Sequence, residues 1–137
     1  WNSFVWSPDV YFDGGTNIRS DAPVSQASPT LYDQALYQTA RSGKAFRYSI
    51  TVPPGLYTVH LKFAEQWLTD IRQRPMNIEV NGRTVRERWD PAEAAGQTGM
   101  AADIRAEDVT PDKNNKINIR VVAVGKNDAI LQGIEIE

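Results

Sequence analysis

Two stretches of this chain hold residue types that could do chemistry together: Ala35-Leu-Tyr-Gln-Thr-Ala-Arg41 and Lys62-Phe-Ala-Glu-Gln-Trp67. Each sets a large aromatic, Tyr37 or Trp67, just outside a run of alternating residues and close to a group that pairs with hydroxyls, Arg41 or Glu65. The chemistry they suit is non-covalent recognition of a sugar. A pyranose offers an apolar face of axial C–H groups, which an indole or phenol face removes from water and attracts through its ring quadrupole. Its rim of hydroxyls is paired by carboxylates, amides and guanidinium groups. Asn127 and Asp128, in a break between two later apolar runs, supply two more such groups. Trp67 is therefore expected to be a stacking platform and Tyr37 a second wall, with Asp128, Asn127, Glu65 and Arg41 as hydroxyl partners. Net gains per contact are small, so such a cleft binds with roughly micromolar to millimolar strength.

Catalytic chemistry has much less to work with. The one histidine, His60, stands mid-strand between Val59 and Leu61 on the face it shares with Thr58 and Lys62, where a sheet-surface role explains it. No G-x-S-x-G run marks a nucleophile, and one histidine cannot supply a clustered hydrolytic metal site. A glycosidase needs only two carboxylates, and Glu65, Asp70, Asp90, Glu93 and Asp128 all fall in expected loops. Acidic loop residues also cap backbone amides, so the sequence is read as non-catalytic, a small hydrolase being the weaker alternative. Asp13-Gly14-Gly15 lacks a following Gly-Lys-Ser and reads as a tight turn.

The elements that must position these groups are strands. Phe46, Tyr48, Ile50 and Val52 alternate with polar residues, Pro53-Pro54-Gly55 makes a turn, and Tyr57, Val59, Leu61 and Phe63 resume the alternation. In-phase aromatics Phe46, Tyr48, Tyr57 and Phe63 are expected in the core. Met76, Ile78 and Val80 form another strand, joined through the two-residue turn Asn81-Gly82 to Val85, Glu87 and Trp89. Ile117, Ile119, Val121 and Ala123, then Ile130, Ile134 and Ile136, make the closing strands around Gly125-Lys-Asn-Asp128. Pro91–Ala95, behind Asp90 and stopped by Gly96, is at most one short helix. Many short strands between Gly, Pro, Asn and Asp clusters predict an all-β fold, a jelly-roll β-sandwich of two antiparallel sheets.

With 137 residues, the chain is expected to form one domain, residues 1–137. Fifteen basic residues against 17 acidic ones give net charge −2, which provides no field to draw nucleic acid or an anionic membrane. The 41% hydrophobic share contains no run of membrane-spanning length, and with no cysteines there is neither a disulfide nor a thiol nucleophile. Opening at Trp1 without methionine or signal peptide, the chain is expected to be a piece of a longer protein. It has no Asn-x-Ser/Thr acceptor, which disfavours an animal secretory origin.

Tyr11-Phe-Asp-Gly-Gly15, Leu36-Tyr-Gln-Thr-Ala-Arg41, Leu61-Lys-Phe-Ala-Glu65, Asn77-Ile-Glu-Val-Asn-Gly82, Trp89-Asp-Pro-Ala-Glu-Ala-Ala-Gly96 and Ile130-Leu-Gln-Gly-Ile-Glu-Ile136 resemble, in order, the malectin and malectin-like domains, carbohydrate-binding module family 57. The resemblance implies a jelly roll that binds glucose- or galactose-type glycans through loop aromatics and an aspartate at one end. It implies a secreted or periplasmic bacterial module, without a cofactor, attached to a polysaccharide-degrading glycoside hydrolase in the same parent chain, with room for a structural calcium ion. The family's aromatic pair falls on Trp67 and Leu68, so one ring is kept and one lost. A further aromatic falls on Ser42, Tyr32 stands near an earlier tyrosine of the animal site, and the loop aspartate aligns with Asn127 or Asp128, Asp128 being preferred. These departures set aside the animal protein's glucosylated N-glycan and leave general carbohydrate binding. They also motivate an alternative, a structural or interaction domain that packs against a catalytic neighbour and has no sugar affinity. Arg19, Arg41, Arg72 and Arg74 fit either an acidic sugar or simple surface solubility.

Overall fold

The computed structural model describes residues 12–20 and 37–137. Among these are eleven strands and the short helix α1 (Pro91–Ala95). The strands are β1 (Phe12–Asp13), β2 (Thr16–Arg19), β3 (Thr39–Gly43), β4 (Ala45–Thr51), β5 (Tyr57–Ala64), β6 (Met76–Val80), β7 (Arg83–Trp89), β8 (Ala101–Val109), β9 (Lys116–Ala123), β10 (Ala129–Leu131) and β11 (Gly133–Ile136). The strands read from the alternation appear in their expected order, while β1, β2, β3 and the nine-residue β8 were not anticipated from it.

All pairings are antiparallel, and the fold is an all-β sandwich. One layer is a five-stranded sheet in the order β1-β4-β9-β6-β7. The other is not a single ladder: it comprises β10-β3-β2 and β11-β5-β8. Gln132, between β10 and β11, joins the two. Its backbone N–H still donates to the Lys62 carbonyl (3.0 Å), and its side-chain amide donates to the Ala64 carbonyl and, at 3.4 Å, to that of Tyr37.

The inward residues of both layers form one core. Phe46, Tyr48, Met76, Ile78, Ile117, Ile119 and Val121 meet Val59, Leu61, Phe63, Ile104, Ile130 and Leu131 there. Phe46 and Tyr48 meet edge to face at 6.4 Å, and Phe63 and Trp89 at 4.8 Å. Tyr57 departs from the expectation of burial. It is only half-buried at the start of β5, because its hydroxyl reaches out to donate to the Pro53 carbonyl (2.7 Å).

Turn chemistry sets the register. Asn81 and Gly82 both adopt positive φ, 49° and 78°, as the tight hairpin requires. The Asn81 side chain also accepts from the Asn118 backbone N–H (2.7 Å), tying the β6–β7 turn to β9. Asp90 caps α1 through the Glu93 N–H (2.8 Å), and Gly96 ends it in the left-handed conformation. No helix among the described residues is long and apolar enough to cross a membrane.

Candidate functional site

Loops leaving β5, entering β6 and entering β10 converge at one end of the sandwich, held by a buried ion pair. Glu65, 1% exposed, directly follows β5 and accepts from Arg74 Nε (2.6 Å) and Nη2 (3.1 Å). Its Oε2 also accepts from the backbone N–H groups of Trp67 and Leu68, each at 3.1 Å. Arg74, 5% exposed, donates its remaining terminal nitrogen to the Asp128 carbonyl (2.6 Å), and its backbone N–H donates to Asp90 (2.7 Å). Two ions so deeply buried persist only when their lone pairs and protons are this fully matched. The Glu65–Arg74 pair thus fixes the Trp67 loop and the Asp128 loop against each other, and the Arg74 backbone N–H adds the start of α1 through Asp90.

Trp67 stands on that frame partly buried and packed against the core. Its indole N–H donates to the carbonyl of Arg19, the last residue of β2, at 3.0 Å. Tethered at the backbone by Glu65 and at the ring by Arg19, the indole is held in one orientation before any ligand arrives. Beside the Arg19 carbonyl opens a groove of about 400 Å³ lined by Asn17, Ile18, Arg19 and Thr39, within the size range of small-molecule sites. Register places Asn17 opposite Arg41 and Arg19 opposite Thr39, so these four share one face of the β2–β3 ladder while Ile18 turns to the core.

The six residues expected to touch ligand divide sharply. Trp67 lies at the loop end, partly buried against the core, with its indole N–H bonded to Arg19. Asp128 and Asn127 lie at the same end and are partly exposed, but both are engaged: Asp128 with Lys44 (3.2 Å), and the Asn127 amide with the Gln73 carbonyl. The Trp67 indole is directed to β2 and the Asp128 carboxylate to Lys44, so the two side chains diverge from the ion pair that ties their backbones.

Tyr37, Glu65 and Arg41 require correction. Tyr37, 2% exposed, is buried against Ala64 and its hydroxyl donates to Asp103 (2.8 Å), so it offers no open wall. The outward face of β5 is covered at this point, which a reading of one strand at a time does not reveal. Glu65 is closed off by Arg74. Arg41, 5% exposed, donates to the Gly14 carbonyl (2.9 Å) and, more loosely, to Asn17 Oδ1 (3.5 Å), bracing the turn between β1 and β2. Arg74 leaves the surface-cation group for the same reason. Ser42, where the family has an aromatic, is buried in β3. Tyr32 lies outside the described residues. Asn17 and Thr39 were missed because nothing in a short strand distinguishes a groove-lining polar residue from a solvated one; nor does the sequence single out Arg74 as the Glu65 partner, since Lys62 and Arg72 lie nearer along the chain.

Fold and site together define a small antiparallel β-sandwich with an oriented aromatic at its loop end, a binding-module class. The chain belongs to the Malectin domain family, a carbohydrate-binding fold, whose model matches residues 2–136. It is similar to Malectin-B and Malectin-A of Xenopus laevis, with 36% and 35% identity over 78 residues, 56% of this chain and 28% of each relative. Among solved structures it resembles the ANX1 ectodomain from Arabidopsis thaliana (TM-score 0.76, 20% identity, 92% of this chain and 40% of that one). It also resembles a Bacteroides uniformis beta-glucuronidase (TM-score 0.71, 24% identity, 96% of this chain and 15% of that one). At these identities the solved structures speak for the fold alone. The chain spans under a third of the Xenopus relatives' length.

Proposed function

We propose that this chain is a non-catalytic carbohydrate-binding module of the family-57 kind, which stacks one hexopyranose on Trp67 and holds an attached polysaccharide-degrading enzyme to its glycan. The observation that carries the reading is the double tether of Trp67, from Glu65 at its backbone and Arg19 at its indole N–H. A partly exposed indole fixed this way loses little conformational entropy on binding, which favours affinity. Asn17 and Thr39 then offer an amide and a hydroxyl to the sugar rim from the groove. Asp128 and Asn127 serve a second sugar unit on the far side of the Glu65–Arg74 pair. Tyr37, Glu65 and Arg41 act as positioning residues.

Tethering to an enzyme is supported by the beta-glucuronidase, in which a region of this fold makes up 15% of the chain. Even millimolar affinity then raises residence on a polymer through effective concentration. A secreted or periplasmic bacterial setting belongs to the same proposal, as does a catalytic domain in the parent chain. Retention on affinity gels containing neutral polysaccharides tests it: the wild type is retarded on at least one and Trp67→Ala on none, with Asn17→Ala weakening retention.

The alternative, a spacer domain packed against a catalytic neighbour, draws on a specific observation too. Three of six expected ligand residues are buried and engaged, and two family aromatic positions hold Leu68 and Ser42. Wild-type protein that runs unretarded on every gel favours the spacer.

A further inference from the structure

On the opposite side of the β11-β5-β8 ladder from the core, His60, Glu135 and Glu137 form a group unconnected with the loop end. His60 and Glu135 are direct cross-strand partners in the β5–β11 register, and Glu137 stands two residues on, on the same side of the chain. One ligand atom from each of the three lies within 4.8 Å of the others. The His60 Nε2 to Glu137 Oε2 distance is 3.3 Å.

We propose that these three side chains bind a divalent transition-metal ion, of the zinc or cobalt type, that staples edge strand β11 to β5. The first argument is charge. Two neighbouring carboxylates on one edge strand repel, and the cations on this face are committed elsewhere: Lys62 to Asp103 (3.1 Å) and Arg105, opposite His60, to Glu107 (2.9 Å). Among the described residues Glu135 forms no ion pair and Glu137 only the one to His60. The face therefore concentrates unmatched negative charge on a metal-ligating imidazole.

Geometry gives the second argument. Bonds of about 2.0–2.2 Å to imidazole nitrogen and carboxylate oxygen bring ligand atoms to about 3 Å from one another. The needed contraction falls to the Glu137 side chain, 58% exposed and free to change rotamer, while the His60 side chain, 18% exposed, is held mid-strand. Donor chemistry chooses the ion. One imidazole and two carboxylates suit zinc or cobalt, whereas calcium requires six to eight oxygens that this face does not bring together. Water completes the coordination.

Calorimetry and thermal unfolding of chelator-stripped protein with zinc chloride, and separately calcium chloride, test the proposal. Zinc is expected to bind one per chain and raise Tm, with calcium inert. His60→Ala should weaken zinc binding at least about tenfold, with Glu135→Gln and Glu137→Gln each weakening it in the same direction. These side chains face away from the core, so the variants fold, and their apo Tm values report it. Glu87→Gln, an exposed carboxylate on β7 in the other layer, leaves zinc affinity unchanged. Cobalt chloride adds a spectroscopic readout: a visible ligand-field band in wild type, lost in His60→Ala. Zinc affinity unchanged in His60→Ala, or no heat and no Tm shift at millimolar zinc, overturns the assignment.

Discussion

Residues that resemble one another in sequence do different work here because burial separates them. Arg74 and Arg47 both pair with a carboxylate, but the first pair has side chains 6% and 1% exposed and the second 57% and 77%. Removing one partner of a buried pair strands an uncompensated charge, costing about 3–5 kcal/mol, against about 0–1 kcal/mol at the surface. Arg74→Ala is accordingly expected to lower unfolding free energy by about 3–5 kcal/mol, and Arg47→Ala by less than about 1 kcal/mol, in urea titrations. Binding should fall as well in Arg74→Ala, since the Trp67 and Asp128 loops lose their common anchor. Of the loop end, the sequence made the position of Trp67 legible, because the ring follows the last in-phase residue of β5. It did not make legible that Glu65, two residues earlier, turns inward: loop carboxylates look alike until the buried guanidinium facing one of them is known.

Turns and strand ends were the most legible elements, since their chemistry is local. Asn81-Gly82, the cap Asp90 and the stop Gly96 all follow from residue type alone. What local chemistry could not foretell is close approach. Gly82 and Gly15 have similar φ, 78° and 76°, yet a Cβ on Gly82 meets nothing within 4 Å, while one on Gly15 comes to 2.8 Å from the Ser42 carbonyl and 2.9 Å from Arg41 Cγ. Left-handed backbone costs an L-residue about 1–2 kcal/mol, so Gly82→Ala should lose that much and Gly15→Ala clearly more. Thermal unfolding of the two variants compares them directly, and Gly15→Ala should also disturb the neighbouring groove. At the far end, Asp112 accepts from the Asn118 side-chain amide (2.8 Å) and the Lys116 (3.0 Å) and Asn114 (2.8 Å) backbone N–H groups. These bonds, the Asn118 amide foremost, hold its carboxyl below the usual 3.8. A carboxyl lowered on folding stabilises the fold above its unfolded value, and this contribution is lost as pH falls through the folded value. NMR titration should show Asp112 more than half ionised at pH 3.8, and its midpoint moving up in Asn118→Ala.

Among the described residues, the molecule is a sandwich whose two layers share one core while its loop end is assembled around the buried Glu65–Arg74 ion pair. Alternation in the sequence was enough to give the all-β sandwich and most of the five-stranded layer, but β2, β3 and β8 of the second layer were not read from it. It could not give the split of the second layer at Gln132, or the covering of β5 over Ala64 that buries Tyr37, because both depend on which strands become neighbours. The same limit explains why a groove beside β2 and β3 emerged only with the fold. The account predicts that this end recognises a neutral glycan and that recognition depends on one ring. Isothermal calorimetry with the oligosaccharide of a retained polysaccharide, comparing wild type with a Trp67→Ala variant of matched Tm, tests that most directly. Saturable heat in the wild type, with affinity reduced at least about tenfold or lost in the variant, is the expected result. Equal affinity in the two proteins would contradict it.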